Sequence, residues 1–266
     1  MNIFHSIIFG VVEGLTEFLP ISSTAHMDIT RFLFGISPTD FIKSFEIIIQ
    51  LGAILAVVVF YFWRVISSRK YILNLIIAFI PTGIIGFILY KSIKSYLLGN
   101  IWVEALALII GGIIIIIFEN YFVKKSNNNL SIEEEGKIED MSIKQLITLG
   151  IAQAFAVIPG VSRSGAVIIF GRAIGLDKKL ITEFSFLLAV PTMLSATLYD
   201  IYKSGVSFSS PDWLFIIIGF LVSFLVALAI IKWFLSYIKN HTFKIFGWYR
   251  IIIGSILIIA LFFSNF

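Results

Sequence analysis

The chain has 266 residues, 59% of them hydrophobic and 14% charged, with a net charge of +4 and a mean hydropathy of +1.00. Soluble domains of this length are far less apolar, and the few charges sit in short loops, which argues against a nucleic-acid surface. The chain has no cysteine, which excludes disulfides, thiolate metal sites and a cysteine nucleophile.

The N-terminal stretch MNIFHSIIFGVVEG lacks a basic leader and a small-residue cleavage site, so it is expected to be retained. It opens an apolar stretch, 3–34, that Pro20 and a run of serines interrupt. Each piece is too short to cross a bilayer, which takes about 20 helical residues. Helix, break, helix predicts a re-entrant hairpin, whose freed backbone must line a cavity or be buried in protein. Three apolar segments follow, 45–63, 72–90 and 101–123, each long enough to span. The polar stretch KKSNNNLSIEEEGKIEDMS, 124–142, reads as an exposed linker. The pattern then recurs: a broken apolar stretch at 143–175, then spans at 184–202, 213–231 and 245–263.

The recurrence extends to single residues. A shift of 140 positions aligns Gly10 with Gly150, Glu13 with Gln153, Ile21 with Val161, Ser22 with Ser162, Thr24 with Ser164 and Ala25 with Gly165. Residues 1–123 and 143–266 are therefore two repeats, each one re-entrant hairpin plus three spans. Three is odd, so the second repeat enters from the opposite side. The predicted fold is an all-α polytopic membrane protein with an inverted-topology repeat, whose site lies at the midplane where broken helices meet. The basic residues set its orientation. Arg64, Arg69, Lys70, Lys124, Lys125, Lys178, Lys179, Lys239 and Lys244 fall on one side, against Lys91, Lys94 and Lys203 on the other. The first side is therefore cytoplasmic, and the first hairpin opens outward.

The breaks collect the chemistry. In EGLTEFLPISSTAHM, 13–27, Glu13 and Glu17 are four apart and share a helix face. Two carboxylates in a low dielectric need a proton or a cation between them. After Pro20, Ser22, Ser23 and Thr24 suit a helix N-cap, and His26 follows one turn later, placed for acid–base work. In PGVSRSG, 159–165, Pro159 and Gly160 end one helix, and Ser162, Arg163 and Ser164 open the next. Gly165 completes that turn. Two half-helix N-termini should therefore converge, and such termini bind anions. Arg163 adds a planar fork that suits phosphate oxygens. Glu46 and Gln50 share a face and are expected to support the site. Asp200 and Arg250, near segment ends, are expected to face water or headgroups. His5 and His241 have no polar company.

The constellation describes a membrane site for a strongly anionic group on an apolar tail. Its hydroxyl, imidazole, arginine and carboxylate pair are the parts of phosphoryl transfer, and a divalent cation would reconcile the carboxylates with a diphosphate. Ser23 attacking with His26 moving its proton is the first reading. Direct attack by His26, or by a water activated by Glu17, are the alternatives. The architecture also suits a transporter of anions or lipid phosphates, which needs no nucleophile. The acid-phosphatase-like lipid phosphatases are set aside, because no histidine follows Arg163 until His241.

Both motifs closely resemble the signatures of the bacitracin-resistance type of undecaprenyl pyrophosphate phosphatase. The resemblance continues through FEIIIQLGAILAVVVF and EFSFLLAVPTMLSAT and covers essentially the whole chain. It implies removal of one phosphate from undecaprenyl diphosphate, which returns the carrier to peptidoglycan synthesis and confers resistance to bacitracin, a competitor for the same lipid. It also implies Mg2+ or Ca2+, the outer side of the bacterial plasma membrane, and homodimers among the partners. The family's glutamates fall on Glu13 and Glu17, its serine and histidine on Ser23 and His26, and its arginine on Arg163. Two positions depart: Ala25 stands where glycine is common, and Val167 where threonine is common.

Overall fold

The computed structural model describes residues 1–92, 97, 99–128, 136–204 and 210–263, and every regular element among them is helical. The helices are α1 (Ile3–Thr16), α2 (Ser23–Leu33), α3 (Asp40–Ile66), α4 (Arg69–Ser92) and α5 (Ile101–Asn128), then α6 (Ile143–Ala154), α7 (Arg163–Ala173), α8 (Lys178–Ser204), α9 (Ser210–Asn240) and α10 (Lys244–Phe263). Six of them, α3, α4, α5, α8, α9 and α10, are long and apolar enough to cross a membrane. All six segments chosen from hydropathy fall inside these helices. The chain is a multi-pass membrane protein by this measure. Large apolar side chains such as Phe87, Ile88, Leu225 and Ile256 stand exposed along the spans, an outer surface suited to lipid rather than water.

Among the short helices, α1 packs on α2, and α6 on α7. Their starts are written locally. Asn2 caps α1 by accepting from the His5 N–H at 2.9 Å. Ser142 and Gln145 form a capping box at α6, with Ser142 N–H to Gln145 Oε1 at 2.8 Å.

Long-range packing crosses between the halves. α1 lies on α9, and α6 lies on α4; α3 packs on α8 and α9, and α5 packs on α10. Glycine permits close approaches between these helices. A Cβ on Gly10 would lie 2.6 Å from the Gly219 carbonyl of α9, and one on Gly150 would strike the Ala78 carbonyl of α4. Small residues serve this purpose between membrane helices. The shared core holds Phe18, Phe184, Phe186 and Phe234, all fully buried, with Phe18 edge-on to Phe186 at 5.0 Å.

The segment 124–142 differs in part from an exposed linker. α5 continues through Asn128, and Ile138–Asp140 form a turn of 3-10 helix with Ile138 buried. The Asn74 side chain of α4 donates to the Ile138 carbonyl at 2.7 Å, tying this end down. Residues 129–135 and Lys94 lie outside the described residues. At the same end of the molecule, Arg64 pairs with Glu183 at 2.5 Å. They line a polar cavity of about 400 Å3 together with Lys137 and Lys179.

Candidate active site

The two breaks meet, and a line of polar contacts runs through them. Glu17 follows α1 directly and is almost fully buried. Its Oε1 accepts from Arg163 Nη2 at 2.8 Å, and its Oε2 accepts from the Ser23 hydroxyl. Arg163 opens α7 and also donates from Nη1 to the Ser185 carbonyl at 2.6 Å. Nucleophile candidate, carboxylate and guanidinium thus join residues far apart in sequence. Removing one partner of such a buried pair typically costs about 3–5 kcal/mol.

Glu13 lies one turn before Glu17 and is fully buried. Both of its carboxylate oxygens lack a hydrogen-bond partner. The Glu17 carboxylate is its immediate neighbour in charge, with Glu46 and Arg163 also near. The repeat partner Gln153 is equally buried, but its amide donates to Thr82 and Thr192, each at 2.9 Å. The amide nitrogen has two partners, whereas its Oε1, like both Glu13 oxygens, has none.

The two breaks also bind each other. Ser162 caps α7 by accepting from the Gly165 N–H at 3.1 Å, and its hydroxyl lies 3.0 Å from that of Ser164. Ser164 donates to the Leu19 carbonyl of the first break at 3.0 Å. Thr24 Oγ1 accepts from the Gly160 N–H at 3.5 Å. A Cβ on Gly165 would sit 3.3 Å from that of Pro20. Gly160 has φ of +87°, and a Cβ there would lie 2.7 Å from the Glu104 carbonyl. Only glycine fits that turn.

Ser22 differs from its expected role. It precedes α2, but its φ is +71° and its side chain caps no backbone N–H. Its hydroxyl instead pairs with Thr24 Oγ1 at 3.0 Å. No other non-glycine residue among those described has positive φ, and the conformation costs a serine about 1–2 kcal/mol. Ala25 is helical, so alanine in place of glycine there carries no strain. Val167 is fully buried in the apolar core.

His26 is half-buried. Its Nδ1 is 2.7 Å from the Ser22 carbonyl, and its Nε2 is 2.8 Å from the Tyr249 hydroxyl. Neither ring nitrogen engages Ser23, whose hydroxyl is given to Glu17. Glu46 turns towards Arg31, 3.9 Å away, and Arg31 also pairs with Asp28.

Arg250 is the main correction to the sequence reading. It does not face water or headgroups; it is buried, 2% exposed. Its guanidinium donates to four carbonyls: Pro20 at 3.1 Å, Gly160 at 2.9 Å, Ala107 at 2.9 Å and Leu108 at 3.3 Å. One side chain from α10 thus clamps both breaks and α5. The carbonyls that the breaks leave unpaired are the reason a cation is tolerated there. The available signal was an arginine inside a strongly apolar segment, which marks a functional position by default. Tyr249 and Ser185 gave no such signal.

Comparison with known proteins now decides the family. Residues 6–256 match the family described as "Bacitracin resistance protein BacA". The chain belongs to the BacA family. Within it, the chain is 51% identical over 263 residues to a protein of Aquifex aeolicus (strain VF5) named "Undecaprenyl-diphosphatase", covering 99% of both chains. It is 48% identical over 254 residues to one of the same name from Sulfurihydrogenibium sp. (strain YO3AOP1), covering 96% of this chain and 97% of the other. A third relative of that name, from Persephonella marina (strain DSM 14350 / EX-H1), is 46% identical over 259 residues, 97% of this chain and 99% of the other.

Proposed function

We propose that this chain is an undecaprenyl-diphosphate phosphatase, which hydrolyses the lipid diphosphate to undecaprenyl phosphate and inorganic phosphate. The observation that carries the chemistry is the Ser23–Glu17–Arg163 line at the junction of two broken helices. The named relatives supply the substrate. The pairing of α1 with α9 and α6 with α4, and of α5 with α10, supports an inverted repeat of two re-entrant hairpins, 3–34 and 143–175, each with three spans. Arg64, Lys137 and Lys179 gathered about one cavity support a cytoplasmic assignment of that end. The site then opens to the outer side of the bacterial plasma membrane, where bacitracin would compete for the same lipid diphosphate.

In this reading the diphosphate displaces Glu17 from part of the Arg163 fork. It is held there by the guanidinium and by the N–H groups opening α2 and α7, the Ser22–Thr24 and Gly160–Gly165 turns. The Ser23 oxygen attacks the terminal phosphorus. An O–P bond forms, the bond to the bridging oxygen breaks, and the electron pair leaves on undecaprenyl phosphate. The serine proton passes to Glu17, which already accepts it as a hydrogen bond. That assignment replaces His26, whose nitrogens are engaged elsewhere. A loose phosphoryl-transfer transition state makes small demands on the base. Water then cleaves the seryl phosphate and releases inorganic phosphate.

The residues fit a divalent cation. Glu13 is a buried carboxylate with two unpartnered oxygens, beside the second carboxylate of Glu17. No group of three or more Asp, Glu or His side chains suits a metal among the described residues, so phosphate oxygens would complete the set. Mg2+ or Ca2+ held by Glu13 and Glu17 would neutralise charge on the diphosphate. An apolar cavity of about 500 Å3, with Ser162, Gly165 and Arg250 in its wall, offers room for the first part of a prenyl tail. Purified protein in detergent with Mg2+ should release phosphate from undecaprenyl diphosphate. Binding without release would favour a transporter of lipid phosphates.

A further inference from the structure

Tyr249 meets the site through His26. It is 38% exposed, on α10, and its ring lies parallel to that of His26, 8° from coplanar with centroids 5.6 Å apart. Its hydroxyl is 2.8 Å from His26 Nε2. The other imidazole nitrogen decides which way the protons run. A carbonyl can only accept, so Nδ1, 2.7 Å from the Ser22 carbonyl, carries the proton. In the neutral ring Nε2 is then the acceptor, and the Tyr249 hydroxyl donates to it.

Ser22 is the residue that most needs such support. Its positive φ is unfavourable for serine, and it lacks the side-chain cap that steadies most helix starts. The His26 N–H on its carbonyl restrains it from the following turn. Ser23, the next residue, depends on that conformation to place its hydroxyl on Glu17. Tyr249 is itself well placed to act as the fixed end of this chain. The adjacent Arg250 holds α10 to Pro20 and Gly160, so the backbone carrying Tyr249 is registered against both breaks.

We propose that Tyr249 is a positioning residue of this site: its hydroxyl, bonded to Nε2, fixes the orientation of the His26 ring, so that Nδ1–H stays on the Ser22 carbonyl and holds the turn that aims Ser23 at Glu17. The inference rests on the phosphatase reading for its consequence, but not for its direct readout. The test is Tyr249→Phe, which keeps the ring and removes one hydroxyl. In protein labelled with 15N-histidine, the His26 signals, assigned by their loss in His26→Asn, should show a single Nδ1–H tautomer in the parent. In Tyr249→Phe the ring is released from that orientation, Nδ1–H leaves the Ser22 carbonyl for part of the time, and the signals should show a mixture of tautomers. With undecaprenyl diphosphate, kcat should fall about tenfold, the scale of one hydrogen bond, while KM stays unchanged. An unchanged tautomer with unchanged kcat overturns the proposal. So does a raised KM at constant kcat, which would make Tyr249 a direct substrate contact. Failure of the parent protein to release phosphate would instead count against the phosphatase reading, leaving the tautomer result to decide the role of Tyr249.

Discussion

Replacing Arg250 by lysine separates charge from geometry at the point where the fold and the site depend on each other. The guanidinium reaches four carbonyls on three stretches of chain: Pro20, Gly160, and the Ala107–Leu108 turn of α5. A lysine keeps the charge but donates from one atom, so it cannot span Pro20 and Gly160 and still reach α5. At least two bonds are lost. Hydrogen bonds to a charged group contribute about 1.5–3 kcal/mol each, so Arg250→Lys should cost about 3–6 kcal/mol before relaxation. The Gly111 backbone lies against the guanidinium, so relaxation has little room on that side. The heat-denaturation midpoint in detergent should drop clearly, and phosphate release by the protein that remains folded should fall more than tenfold. Arg250→Met should be at least as damaging. Lysine at parental stability and turnover would refute the idea that the fork, rather than the charge, holds the breaks together.

Other outcomes follow from the same geometry. Chelation should abolish turnover, and Glu17→Gln should cripple it even with excess metal, because Glu17 serves Ser23 and Arg163 at once; full activity in chelator would exclude a metal requirement. Glu13→Gln should be milder and chiefly raise the Mg2+ needed, since the amide of Gln153 is accommodated at the equivalent position; titrating Mg2+ against phosphate release reads this directly. Gly160→Ala should fail on two counts, the positive φ and the Glu104 carbonyl 2.7 Å from the new Cβ, and lose both heat stability and activity; an alanine variant of parental stability would mean that the turn tolerates a side chain.

Much of this molecule is legible without coordinates, for physical reasons. A span must be long and apolar, so hydropathy located all six long helices. A break in lipid must be marked by residues that end and restart a helix, so Pro20 and the PGVSRSG turn announced themselves. What joins the breaks was harder to read. Ser162 and Ser164 look like caps, yet Ser164 also ties the second break to the Leu19 carbonyl of the first. Ser22 looks like a cap and is not one, because the chain enters α2 through a left-handed turn. Sequence proximity pairs His26 with Ser23, but the ring turns towards α10 instead. Tyr249 and Arg250 lie more than 220 residues from the first break, so their role emerges only from tertiary packing. Arg250 still left a trace, since a buried arginine in an apolar helix requires acceptors, and broken helices supply them.

Phosphate release from undecaprenyl diphosphate in proteoliposomes, measured for the parent and for Arg163→Lys side by side, tests the central claim most directly. The parent should release inorganic phosphate with Mg2+ present. The lysine variant, folded and still charged but lacking the bidentate fork, should be at least ~100-fold slower, the scale of one lost transition-state donor. A parent that binds the lipid without releasing phosphate, or a lysine variant as fast as the parent, would contradict the reading of Arg163 and Glu17 as the centre of a phosphatase.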